Sequence, residues 1–431
     1  MVLSAPGNGG VTYDDLESAS KVVLVGLEPE DEAGAIWLRL HKAVRAGRTQ
    51  VLAVAPYTSR GLRKLSARLI PTAPGDEATA IASLLEQTFG VDSSAVVLVG
   101  ERLATVPGAL SAASDLAAKS GARLAWVPRR AGDRGAVEAG CLPNLLPGGR
   151  PVHEAAARVD LAAAWGVDAL PEAEGRDADH ILEAISGGEL GGLVIAGVDP
   201  ADTANPAGAR AAIEAAGFVV ALDLRESEVT RQADVVLPVA PVSDKAGSFV
   251  NWEGRVRSFE AALRNPASLP DLRILSGIAE EMGAPLGFRT VPEVRAEMAQ
   301  LGPWDGVSTS STTGPLSVEP VETNTSTTEG GEGLLLATWK QSIDNGRMQD
   351  GDKYLKATAR TPVALVSRDV YDACGPTVTI TGDRGWITLP AQVCDDLVPG
   401  VVWVPANSFG AGVLSDLASP GSRVRVEGGQ A

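Results

Sequence analysis

The sequence predicts an α/β fold: two related doubly wound parallel-sheet lobes followed by a small β-barrel domain. Three observations predict it. Short apolar strands alternate with amphipathic helices over about residues 20–305. One strand–turn–helix plan occurs twice, with Gly26, Pro29 and Asp31 standing 171 positions before Gly197, Pro200 and Asp202. Beyond about residue 335, helices give way to short strands between Gly and Pro turns. At 431 residues the chain also exceeds what one hydrophobic core organises, so several domains are expected.

In the first unit Val22–Val25 is an apolar strand, followed by Gly26, Leu27, Glu28, Pro29, Glu30, Asp31 and Glu32. Ala33, Ile36, Trp37, Leu40 and Val44 then fall at helical spacing, Gly47 ends the helix, and Val51–Val54 is the next strand. Ala95–Val99, Gly100, a helix to about Lys119, Gly121 and Leu124–Val127 repeat the plan without the proline. Leu193–Ala196, Gly197, Asp199, Pro200, a helix through Ile213, Gly217 and Phe218–Leu222 repeat it with the proline. A further run, Asp234–Leu237, reads as a buried strand stopped by Pro238. Continuous apolar strands alternating with helices imply parallel sheets covered on both faces.

These readings divide the chain into an extension (1–20), a first lobe (21–165), a second lobe (166–305), a linker (306–333) and a barrel (334–431). The linker, "GVSTSSTTGPLSVEPVETNTSTTEGGEG", is rich in Ser, Thr, Gly and Glu and is expected to be flexible. In the barrel, Thr377–Ile380, Trp386–Leu389, Val401–Val404 and Val424–Val426 read as strands, and one short helix is capped by Gly375.

Composition excludes several classes of partner. The formal charge is −17, from 54 acidic and 37 basic residues, and no Lys/Arg cluster offers a phosphate-backbone footprint, so no nucleic acid is expected. No apolar run approaches the roughly 18 residues that span a bilayer, so no direct membrane insertion is expected. The opening "MVLSAPGNGGVTYDD" has no signal-peptide pattern, and a cytoplasmic location is expected. Cys141, Cys374 and Cys394 are too few and too scattered for an iron–sulfur cluster, and His41, His153 and His180 are equally dispersed, so no metal site is expected.

Two constellations are candidate sites. Gly26, Glu28 and Pro29, and again Gly197, Asp199 and Pro200, lie between a parallel strand and a helix N-terminus, where open α/β sheets bind ligands. Proline at the first helical turn and acids beside it also simply stabilise a helix start. A nucleotide reading would use the exposed N–H groups, but Glu28, Asp31, Asp199 and Asp202 put carboxylates where a diphosphate would lie. No G-x-G-x-x-G, G-x-x-x-x-G-K-[ST] or G-x-S-x-G occurs. "PRRAGDRGAVEAG" (128–140) is either a solvated loop paired with nearby carboxylates or an anion or partner contact.

The second constellation follows Pro238. Gly247 and Gly254 permit tight turns around Asn251, Glu253 and Arg255, and Arg255 can pair with Asp244 or Glu253. So dense a polar loop is either a ligand cradle or a hydrogen-bonded corner. The corner reading expects Arg255→Ala to cost about 1–3 kcal/mol.

"ADVVLP" followed by "DKAGSFVNWEGRV" resembles the signature of the molybdopterin oxidoreductase superfamily. "VSRDVYDACG", "GWITLP", "VPGVVWVP" and "GSRVRV" are similar to its last domain, a six-stranded barrel-like module. The resemblance covers residues 20–305 and 360–431. Within the superfamily, "LVGERL", "GGLVIAGVDP" and the segment from Leu24 to Gly47 look most like the large peripheral-arm subunits of bacterial NADH-quinone oxidoreductase, respiratory complex I, of actinobacterial type. Such subunits carry a cysteine-rich iron–sulfur region ahead of a molybdoenzyme-like body that usually holds no molybdenum, and this chain looks like the C-terminal portion of one.

The resemblance implies a non-catalytic structural and assembly region serving electron transfer from NADH to quinone, with no catalytic residue and no cofactor in this chain. Its partners would be other peripheral-arm subunits on the cytoplasmic face of the membrane. True molybdoenzymes usually have Asn where this chain has Glu28 and Asp199. Gly26, Glu28, Pro29, Gly197, Asp199, Pro200, Gly247, Asn251, Glu253, Gly254 and Arg255 would then mark a vestigial pocket. The alternative is the cofactor-binding half of a true molybdopterin enzyme such as a formate dehydrogenase; a third reading is a free-standing acidic ligand-binding protein. A metal-ligating residue upstream would favour the alternative. Limited digestion with a glutamyl protease is expected to cut first within residues 306–333, and a single protected 44.3 kDa core would contradict that.

Overall fold

The apolar runs of the first 130 residues become one parallel sheet: β1 (Lys21–Val25), β2 (Gln50–Ala55), β3 (Arg68–Pro71), β4 (Ala95–Gly100) and β5 (Arg123–Val127). The structure is a computed structural model that describes residues 10–265, 269–304, 332–408, 412–413 and 416–429. Residues 1–9 of the expected extension and 305–331, nearly all of the expected linker, lie outside the described residues. The chain divides into two compact units, Met1–Arg130 with Pro315–Ala431, and Ala131–Gly314.

In the first unit the strand order is β3-β2-β1-β4-β5, so chain progression reverses between β1 and β4. These central strands are almost wholly apolar, because a parallel strand needs such side chains on both faces. On one face Val23, Val25, Val97 and Val99 pack with Ile81, Leu84, Leu103 and Leu116. The described end of the extension is ordered by a capping box: the Thr12 hydroxyl accepts the Asp15 N–H at 3.2 Å, and the Asp15 carboxylate accepts the Thr12 N–H at 2.8 Å. Leu16, on the helix Tyr13–Ser18, is fully buried.

The second unit holds a short hairpin, β6 (Leu145–Leu146) with β7 (Arg150–Pro151). It also holds a parallel sheet of β8 (Leu193–Ala196), β9 (Val219–Asp223) and β10 (Val235–Pro238), in the order β10-β9-β8. A second hairpin pairs β11 (Gly247–Val250) with β12 (Val256–Phe259). Here two expectations fail. The run Asp234–Leu237 is not a buried strand: it is an edge strand on which Val235 and Val236 are exposed. Nor is the sheet covered throughout both faces, since β8 alternates half-buried and exposed residues. A strand with one neighbour and one covering layer cannot bury a continuous apolar run.

The break between units at Arg130/Ala131 precedes the expected lobe boundary at 165/166. Side chains explain the position. Arg134 donates to the Trp252 carbonyl at 2.8 Å, and Arg150 donates to the carbonyls of Leu301 and Gly302 at 3.0 Å, tying residues 131–165 into the second unit.

The barrel closes in the order β13-β17-β14-β16-β15-β20. Its strands are β13 (Leu334–Trp339), β14 (Ala364–Val366), β15 (Thr377–Thr381), β16 (Trp386–Val393), β17 (Val401–Pro405) and β20 (Arg423–Gly428); β18 (Asn407–Ser408) and β19 (Gly412–Val413) make a separate pair. Leu336, Val366, Val378, Ile380, Val402 and Val404 fill its interior. Closure leaves no free sheet edge, which suits strands this short. Among the described residues no helix is long and apolar enough to cross a membrane.

Candidate functional site

In an open parallel sheet the ligand crevice lies beyond the C-terminal ends of the strands, where strand order reverses. In the first unit that point lies between the turns after β1 and β4. Gly26 ends β1 at φ 60°, and Gly100 ends β4 so close by that a Cβ there would stand 2.1 Å from the Gly26 carbonyl oxygen. The two turns therefore touch. Pro29 opens the helix Pro29–Glu32; the Glu28 carboxylate accepts the Glu30 N–H at 3.3 Å, and the Glu32 carboxylate accepts the Glu28 N–H at 2.6 Å.

Every acidic side chain of this turn has a protein partner. Glu30 receives two bonds from Arg60 (3.1 and 3.0 Å) and one from Lys64 (2.6 Å) on the helix Arg60–Lys64. Glu32 receives the forked guanidinium of Arg102 at 3.1 and 3.0 Å. Asp31, 4% exposed, pairs with Arg360, which leads into barrel strand β14, and accepts Trp339 Nε1 of β13 at 3.3 Å. The Arg102 guanidinium lies 5.2 Å from the centre of the Trp339 ring, and Trp339 in turn meets Tyr57 at 5.3 Å and Trp403 at 4.8 Å. The switch point is thus filled by a chain of acid, base and aromatic groups that fastens the sheet to the barrel.

Glu28 is the buried member. It is 3% exposed and accepts the Ser59 hydroxyl, which itself accepts the Leu62 N–H at 3.0 Å. Burial pushes its carboxyl up to about 7; the neighbouring charges of Asp31 and Glu32 add to the rise, and the Ser59 bond opposes it.

Beside the fastener a cleft of about 210 Å³ remains, lined by Asp76, Glu77, Arg102, Val106, β13 and Gly421 among others. Burial raises the Glu77 carboxyl above its ordinary range. The donor set does not fit a dinucleotide diphosphate. Arg102 is the one basic lining residue described, and it is committed to Glu32, while Asp76 and Glu77 add negative charge. The volume also falls below the roughly 300–1,000 Å³ of ordinary small-molecule sites.

The second turn reproduces the local geometry of the first. Gly197 has φ 62°, Asp199 is the N-cap whose carboxylate accepts the Ala201 N–H at 3.0 Å, and Pro200 opens the short helical turn. Its surroundings differ: a Cβ on Gly197 would meet nothing within 4 Å, whereas one on Gly26 would meet Leu103 N at 2.8 Å.

The third group is a corner in the turn joining β11 to β12. Asn251 Oδ1 accepts the N–H groups of Glu253 (3.1 Å) and Arg255 (2.8 Å), and its Nδ2 donates to Glu253 at 2.8 Å. Arg255 pairs with Glu253 at 3.3 Å, so Glu253 is its partner here; the Asp244 carboxylate accepts the Ser243 hydroxyl at 2.7 Å. Gly254, at φ 82°, passes so near Arg134 that a Cβ would stand 2.9 Å from its Nη2. Gly247 lies on β11 under the Phe259 ring. Arg134, expected in a solvated loop, is instead a buried residue on the helix Asp133–Glu138.

The candidates thus form three separate clusters. Sequence reasoning missed the residues that complete the first: Ser59, Arg102, Trp339 and Arg360. Nothing near them in the chain marks them, because their partners lie 31 to 329 positions away. Cys394 is half-buried, and burial pushes its thiol up to about 12.

The molybdopterin oxidoreductase family model matches residues 6–281. The chain is 50% identical over 430 residues to the G subunit of NADH-quinone oxidoreductase from Mycobacterium bovis, covering 97% of this chain and 52% of that protein. It is 43% identical over 443 residues to the protein of the same name in Streptomyces coelicolor, covering 97% and 51%. The chain therefore spans about half the length of these relatives. Acetylene hydratase from Pelobacter acetylenicus matches at TM-score 0.54 and 12% identity over 96% of this chain and 78% of that one, a likeness of fold alone.

Two measurements follow from the geometry. Because Glu28 holds its proton up to about 7 in the fold and only to about 4.5 when unfolded, the native state binds more protons within that window, and stability falls as pH rises through it. Glu28→Gln is expected to match the parent near pH 4, to flatten that slope, and to exceed the parent at pH 8 by about 1–3 kcal/mol in urea denaturation. In the corner, Asn251→Ala removes two acceptor contacts and a donor to a buried carboxylate, for an expected cost of about 1–3 kcal/mol. Arg255 is half exposed, so Arg255→Ala is expected to cost less, below about 1 kcal/mol. The reverse ranking would return Arg255 to the central place the sequence suggested.

Proposed function

The chain belongs to the molybdopterin oxidoreductase family, and from that premise we propose that it is a non-catalytic structural and assembly region of NADH-quinone oxidoreductase. In this reading it is the C-terminal half of that complex's large peripheral-arm polypeptide, which serves electron transfer from NADH to quinone by holding other parts of the complex in place. The supporting observation is the fate of the switch-point crevice: Glu32, Arg102, Trp339, Asp31 and Arg360 spend their charge and hydrogen bonds on one another.

A molybdopterin dinucleotide would bring two or more phosphate charges and require uncommitted donors around them. The first turn offers carboxylates at Glu28, Asp31 and Glu32, and the cleft adds Asp76 and Glu77. In a partly desolvated site each would repel the ligand. The proposal therefore assigns this chain no molybdenum and no pterin. The iron–sulfur clusters of the complex are assigned to polypeptide outside this chain, whose three cysteines stand at 141, 374 and 394. Its partners would be the neighbouring soluble subunits on the cytoplasmic face.

The reading separates amount from rate. With Asp31→Ala introduced into the native gene, the quantity of assembled NADH-quinone oxidoreductase is expected to fall several-fold, while NADH oxidation per assembled complex stays unchanged. Normal assembly with a reduced rate per complex would contradict a structural role.

A further inference from the structure

In the second unit, register places Val194 beside Val220 and Val220 beside Val235, and likewise Ala196, Leu222 and Leu237 across the sheet. Partnered residues of parallel strands project to the same side, so these six apolar residues share one face. The opposite face is covered: Leu193, Ile195, Val219 and Ala221 pack with Ile213 of the helix Pro206–Ala215. On the six-residue face, Ile274 of the helix Asp271–Glu281 reaches Leu222, Val220 and Leu237. That cover stops short of β8. Val194 is 67% exposed and Val235 is 38% exposed. β8 is also an edge strand among the described residues, with one side of its backbone ladder unpaired.

Parallel sheets are covered on both faces, and a parallel edge strand is ordinarily extended by a strand whose connecting helix lies over the sheet. We propose that the β8 edge and the face around Val194 and Val235 are a docking surface for one strand and one helix. These are supplied by the half of the longer relatives' polypeptide that this chain does not span. The relatives that match 97% of this chain at 50% and 43% identity are about twice its length, so they carry polypeptide available for the task. A second copy of this chain fits less well. Two-fold pairing of β8 with itself would be antiparallel, and it would bring together two chains of charge −17. The proposal does not depend on the respiratory reading, only on the length and likeness of those relatives.

The test uses the intact Mycobacterium bovis polypeptide carrying a photo-crosslinking residue at the position aligned with Val194. The expected adduct is with a peptide from the same polypeptide outside the span matched by this chain. An adduct with a second copy, an adduct with a different protein, or no adduct overturns the proposal. A second readout guards against a folding defect. Val194→Lys is expected to leave the melting temperature of this chain unchanged and to lower that of the intact relative; an equal effect in both, or none in either, also overturns it.

Discussion

Arg102 stands between the Glu32 carboxylate and the Trp339 ring, and the first unit is organised around that contact. It joins the turn after β4 to the turn after β1 and, through Trp339 and Asp31, joins both to the barrel. The usual use of such a crevice is to leave backbone donors and a positive side chain open to a ligand. Here the same elements are folded against each other. A guanidinium held by a forked carboxylate and laid on an aromatic ring has little capacity left for an incoming phosphate.

Concentrating acids at this point has a consequence for the charge of the interior. Glu28, Asp31, Glu32 and Glu77 lie near Arg102 and Arg360, so carboxylates outnumber guanidinium groups among these residues. Burial makes an uncompensated negative charge costly, and the least expensive relief is to keep a proton. Glu28 is placed to do so, being the most enclosed and having a hydroxyl rather than a cation as its partner. The carboxylate that looks most hostile to an anionic ligand in the sequence is therefore one that sheds its charge near neutral pH.

Much of the fold was legible because it rests on local periodicity. The strands around Val22, Val96, Val194 and Val220, the barrel strands, and the repeated turn at Gly26 and Gly197 all follow from apolar runs and glycine placement. What local pattern does not carry is which neighbour covers a strand. Val235 and Val236 read as buried because they are apolar, yet they lie on an edge where the covering layer is thin. The site was legible in its acids and not in its bases. Glu28 and Asp31 announce themselves in a run of charges, whereas Arg102 and Arg360 gain meaning only when the barrel is brought against the sheet. Asn251, by contrast, was found together with its partners, because a corner closed within five residues is a local object.

The most direct test of this account is a double-mutant cycle on Asp31→Ala and Arg360→Ala in this chain, read by urea denaturation. If the acid–base–aromatic chain fastens the sheet to the barrel, the two losses are coupled by about 1 kcal/mol, a figure already reduced because Arg360 is one-third exposed. Losses that add within about 0.3 kcal/mol would show that Asp31 and Arg360 act independently and would contradict the fastener.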